Sequence, residues 1–136
     1  MKTHVEFRSE GFPPYPGEED KINPGCWGKR LAEFIHDGLK AQGIEVIEPA
    51  SEDWGWMVEI RNEAFPLWIG CANLDGEPDG FLCFIEPSTP FVRKLLFKKI
   101  PTEPDVARVQ RKLDALLSSE PTIADICWYT REEFSR

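Results

Sequence analysis

Three apolar runs between residues 54 and 86, WGWMVEIR, FPLWIGCAN and FLCFIE, constrain this chain more than any other feature. They are short, rich in β-branched and aromatic residues and separated by polar breaks, which predicts a three-stranded antiparallel meander. In the first run Trp54, Trp56, Val58 and Ile60 alternate with Gly55, Met57, Glu59 and Arg61, the period of a strand with two unlike faces. A two-residue turn at Asn62-Glu63 sets Ile60 against Phe65, Val58 against Leu67, Trp56 against Ile69 and Trp54 against Cys71. A slip of one residue would undo all four pairings. The second break, Asp75 to Gly80, holds two glycines and a proline and reads as a loop. Phe81, Cys83 and Ile85 then continue the same face.

The opposite face carries Met57, Trp68, Leu82 and Phe84 among Gly55, Glu59, Arg61, Gly70 and Glu86. An antiparallel sheet with one wet face is mostly polar on that side, and this one is half apolar. Such a face is covered by the chain's own loop or helix, by a second subunit, or by a ligand. The simplest cover is the chain's own N-terminal loop or a helix.

Around the meander the pattern predicts a short strand in THVEFR (3–8), with His4 on its polar side. Residues 10–25 hold four prolines and form a rigid loop that lays Phe12 and Tyr15 over the sheet. Asn23-Pro24 opens a helix, with Trp27, Leu31, Phe34, Ile35 and Leu39 on one stripe and Gly43 as its cap. That places Cys26 in the first turn and His36 on the solvated outer face. IEVIE (44–48) reads as a strand, PASED (49–53) as a loop, and FVRKLLFKKI (91–100) as a short amphipathic helix with a basic face. Thr102-Glu-Pro-Asp105 caps a second main helix through Val106, Val109, Leu113, Leu116 and Leu117. IADICWY (123–129) is a last strand, and Thr130 to Glu133 caps a final helical turn.

This order predicts a single α+β domain spanning 1–136: an antiparallel sheet, the central meander 54–86 plus flanking strands, with two main helices packed mainly on one face. The chain of 136 residues is long enough for a core, and 41% apolar content argues against disorder. A net charge of −8 argues against nucleic acid or an anionic membrane as the main partner. No apolar stretch reaches the ~20 residues of a membrane span, and the start lacks the apolar core of a signal peptide, so the cytoplasm is the expected location.

Cys26, Cys71, Cys83 and Cys127 form no C-x-x-C pair, which argues against zinc. Cys71 and Cys83 fall on adjacent strands of one face, where free thiols or a disulfide both fit; a reducing cytosol favours thiols.

The best cation-binding match is Asp75-Gly-Glu77-Pro-Asp79-Gly80 through Glu86, with acids at positions 1, 3, 5 and 12 of an EF-hand-like loop. Position 9 is Cys83, and the flanks read as strands where that motif needs helices. Phosphate loops and a hydrolase triad have no match, with only two histidines in the chain. A pocket near Asp53, Trp54 and Cys71 is the expected place for a small molecule or a reaction, since a carboxylate beside tryptophans rises in pKa. No enzyme class stands above background, and no motif implies a cofactor.

NPGCWGKRLAEF, EDWGW and DGFLCFIEP together resemble a family of small uncharacterised bacterial cytosolic proteins with no activity attached. The element plan resembles small binding domains, including secretion chaperones and toxin-neutralising immunity proteins. The expected function is that of a non-enzymatic interaction protein. Its half-apolar face around Met57, Trp68, Leu82 and Phe84 would meet a protein partner or a second copy of the chain.

Overall fold

The computed structural model describes residues 1–135, the Phe97 side chain excepted. Among these residues the elements run β1 (Lys2–Ser9), α1 (Glu18–Lys21), α2 (Lys29–Ala41), β2 (Ala50–Glu52), β3 (Gly55–Ile60), β4 (Leu67–Asn73), β5 (Gly80–Glu86), β6 (Phe91–Arg93), β7 (Lys99–Pro101), α3 (Glu103–Ser119), β8 (Ile123–Thr130) and α4 (Arg131–Phe134). Six strands form one antiparallel sheet in the order β2-β3-β4-β5-β1-β8, and β6-β7 form a small hairpin of their own. The fold is α+β, with α2 and α3 on one face of the six-stranded sheet.

Alternation decides which face that is. Val5, Phe7, Val58, Ile60, Leu67, Ile69, Cys71, Phe81, Cys83 and Ile85 all point to the helices and are almost fully buried. They meet Leu31, Ile35 and Leu39 of α2 and Val106, Val109, Leu113 and Leu117 of α3 in one continuous cluster. Each large side chain buried this way contributes about 1.5–3 kcal/mol. The meander and both helix stripes were therefore legible in the sequence, because period 2 and period 3.6 each select one face.

The register is not the one that the Asn62-Glu63 turn implies. Ile60 pairs with Leu67, Val58 with Ile69 and Trp56 with Cys71, a shift of two residues. Pro66 has no N–H to give a ladder, so β4 starts only at Leu67 and the connection lengthens. A shift of two keeps every side chain on its face, so the core is unchanged.

Other expectations fail locally. α2 begins at Lys29, not at Pro24, and Cys26 lies before it in a turn closed by Cys26 N–H to Asn23 C=O at 3.0 Å. No helix dipole therefore acts on that thiol. At the far end Gly43 (φ 86°) caps α2 as expected, with Ile44 N–H reaching the Leu39 carbonyl at 3.0 Å. IEVIE touches β3 by a single bridge, Val46 to Ile60, and the strand is Ala50–Glu52 instead. Residues 91–100 are the β6-β7 hairpin around a 3-10 turn, not a helix. Pro90 and Pro101 bound a stretch too short to nucleate a helix on its own. The Thr102 hydroxyl does not cap α3; it donates to the Thr89 carbonyl and ties down the base of that hairpin. Thr130 does form the expected capping box with Glu133.

No helix among the described residues is long and apolar enough to cross a membrane.

Candidate functional site

The face turned away from α2 and α3 carries a connected set of aromatic rings. Ladder pairing puts Met57 beside Gly70, Gly70 beside Phe84, Phe84 beside His4 and His4 beside Tyr129, so one row crosses five strands. Trp68 lies between Glu59 and Glu86 in the next row. Leu82 sits between Ala72 and Glu6 on the other side. Met57, Trp68, Leu82 and Phe84 therefore share one face, and each is half-buried.

Gly70 is what lets the rings gather. A side chain there would lie 2.3 Å from the Phe84 ring; its absence lets that ring fold flat over β4. Phe84 then meets Trp68 at 5.5 Å between centroids and Trp54 at 5.1 Å, and the two indoles stack at 6.0 Å. Edge-to-face and offset packing of this kind adds about 0.5–1.5 kcal/mol per pair beyond buried area. The Pro-rich loop does not cover these rings. Its Phe12 turns to the helix side, against Phe34 and Phe81, and its Tyr15 donates a 2.5 Å hydrogen bond to Glu33.

Trp54 is on this face and not in the core. Asp53 and Trp54 form the two-residue connection of the β2-β3 hairpin, closed by the Glu52–Gly55 pair, so Trp54 escapes the alternation of β3. Gly55 at the start of β3 was the one available signal. The expected pocket at Asp53, Trp54 and Cys71 is consequently not assembled. Cys71 is fully buried on the helix side, Trp54 is on the other, and the Asp53 carbonyl accepts from Asn23 at an exposed edge.

At the other end of the row His4 is not solvated. It is only 8% exposed, stacked between Phe84 at 5.8 Å and Phe134 of α4 at 4.8 Å. Its Nδ1 shares a 2.9 Å hydrogen bond with the Thr3 hydroxyl. Burial lowers its pKa, with Glu86 opposing and Arg131 adding to that shift. Further along, hydrogen bonding to Cys127 and the charge beside it, with Glu6, push the Tyr129 phenol up to about 12. His36 is not solvated either: it is buried, with Nδ1 2.8 Å from Asp37 Oδ1 and Nε2 3.6 Å from Glu48 Oε1.

The EF-hand-like acids do not surround a cation. Arg8 takes Glu77 and Asp79 at 2.9 Å each, and Glu86, at the far end of β5, accepts from Ser88. Among the described residues no three His, Cys, Asp or Glu are placed to hold a metal ion. The strands that flank the loop hold Asp75 and Glu86 apart, which a helical pair would not do. Cys71 and Cys83 face each other as free thiols, and burial raises the Cys83 pKa well above its usual value.

Comparison of the chain with protein-family models, with curated proteins and with solved structures found no match.

Proposed function

We propose that this chain is a non-enzymatic interaction module, in the manner of immunity proteins and secretion chaperones. The open sheet face docks a protein partner. One observation carries the reading: Trp54, Trp68 and Phe84 stack on the face turned away from α2 and α3, with Met57 and Leu82 beside them, and among the described residues α4 reaches only its His4 end. Aromatic and methionine side chains at the centre of a patch, with charge at its rim, are the composition of interface hot spots. The rim carries Glu6, Glu59 and Glu86, and its cations Arg8 and Arg61 are already paired with acids. The fitting partner thus offers an apolar knob inside a basic border. A cytoplasmic location accompanies this reading, because the adjacent thiols of Cys71 and Cys83 are free, as a reducing compartment keeps them.

The test places a photo-crosslinker at position 57 and compares wild type with Trp68→Ser in lysate of the source cell. The expected result is one protein joined through position 57, lost with Trp68→Ser and weakened by Glu59→Lys. Crosslinking that is absent, or that survives Trp68→Ser, overturns the reading.

A further inference from the structure

The β6-β7 hairpin ends in two leucines that pack against nothing. Leu95 is 91% exposed and Leu96 is 94% exposed. Among the described residues the next most exposed large apolar side chain is Phe91 at 51%, so two adjacent leucines exposed almost completely at a tip are an exception within this protein. Leu96 is also held at φ 63°, ψ 30°, in the left-handed region. A branched side chain there is strained, and the fold gains no burial in return.

The surroundings of the tip are as unusual as its residues. Arg93, Lys94, Lys98 and Lys99 flank it, all exposed. No acid occurs between Glu86 and Glu103, in a chain whose net charge is −8. Among the described residues none of the four cations forms an ion pair. Lys99 rests over the Phe91 ring at 5.6 Å, and Lys94 lines a depression that Glu59 and Glu63 share.

The base of the hairpin is anchored. Val92 and Ile100 pack against the core, Thr102 N–H donates to the Pro90 carbonyl at 3.0 Å, and Lys94 N–H donates to Lys98 at 2.8 Å across the turn. The result is a firm stalk that presents two apolar side chains inside a cationic collar.

We propose that this hairpin is a membrane-surface anchor that inserts Leu95 and Leu96 between the headgroups of anionic lipids. A protruding apolar tip needs a soft apolar medium more than a shaped pocket, and a lipid interface offers one without complementarity. The collar supplies the charge match, since juxtamembrane cations are attracted to an anionic leaflet within a Debye length. Glu59 and Glu63 share a depression with Lys94 and offset that one cation, while screening weakens the repulsion of more distant acids. Lys94 shares its depression with Glu59 of the open face's rim, so a partner bound on that face would be held close to the membrane surface.

The experiment is co-flotation of the whole protein with phosphatidylcholine vesicles, with and without about a third of phosphatidylserine. Wild type is expected to float with the anionic vesicles only, and less so at high salt. Leu95→Ser/Leu96→Ser and Lys94→Glu/Lys98→Glu are each expected to reduce binding by about tenfold or more. These side chains are exposed, so circular dichroism should show an unchanged fold. Trp68→Ser, on the open face, should float as wild type does, which separates this anchor from the partner-binding reading. The proposal is overturned if wild type ignores anionic vesicles at low salt, or if the leucine pair proves dispensable. It is equally overturned if the tip variants change only the protein's mass in vesicle-free solution, which would make the tip a contact between copies.

Discussion

The Glu18 carboxylate accepts the indole N–H of Trp56 at 2.9 Å, joining the Pro-rich loop to the central meander. The same oxygen accepts from the N–H groups of Gly28 and Lys29 at 2.8 and 2.9 Å, and the other accepts from Tyr15 N–H at 2.9 Å. Glu18 is 4% exposed. It is thus the missing cap of α2, supplied by a residue well before the helix, where the dipole favours an anion. Lys29 lies over both the Tyr15 and Trp56 rings, so a cation closes the cluster from outside.

Removing that carboxylate leaves several buried donors without a partner. Glu18→Ala should destabilise the protein by about 3 kcal/mol, and Glu18→Gln by about half as much, since the amide oxygen still accepts. Urea unfolding followed by tryptophan fluorescence measures both. Arg8→Ala provides the contrast: its two ion pairs are exposed and screened by solvent, so their loss should leave the urea midpoint close to that of wild type.

Gly70→Ala tests how the aromatic face is built. A methyl group at position 70 displaces the Phe84 ring and should cost about 1–3 kcal/mol while altering the near-ultraviolet circular dichroism. In Gly70→Ala/Phe84→Ala the two changes share one contact, so their combined cost should fall well short of the sum. Additive costs would mean that the ring does not depend on the notch.

His4 makes stability depend on pH in a defined direction. Its folded pKa lies below the ordinary 6.5, chiefly through burial between two phenyl rings. As pH falls below 6.5 the unfolded chain takes up a proton that the native protein resists, so native stability declines until the folded pKa is passed. Above 6.5 the effect vanishes. His4→Phe keeps the stacking and removes the titration. The difference in unfolding free energy between wild type and variant should therefore drift across that window and be flat above it.

The thiols should divide into two classes. Cys127 is exposed and Cys26 half-buried, whereas Cys71 and Cys83 are buried, and the Cys83 thiolate is further disfavoured. An aromatic disulfide reagent should modify Cys127 and Cys26 in the native protein, and the other two only after unfolding. Mass spectrometry of the labelled peptides identifies which is which.

What the sequence made legible follows from periodicity. The core positions of β3, β4, β5, α2 and α3 all repeat at the spacing of their element, and burial of one face follows from that spacing. Met57, Trp68, Leu82 and Phe84 could be placed on a common face for the same reason. Trp54 and the hairpin at residues 91–101 could not, because turn geometry moved the first off its strand and long-range pairing replaced a helical pattern in the second. Glu18 and His4 look like ordinary surface residues in the sequence. Their burial depends on Trp56, Gly28, Phe84 and Phe134, which are distant along the chain.

The order β2-β3-β4-β5-β1-β8 places the first strand of this sheet between the two of the same sheet that come last in the chain: His4 pairs with Phe84 on one side and Tyr129 on the other. During synthesis β1 leaves the ribosome with both of its edges unsatisfied, and it stays so until β5 arrives. The second edge waits for β8, after α3 has been made. Until both partners have been made, β1 is an open strand, Val5 and Phe7 included, and is exposed to pairing with neighbouring chains.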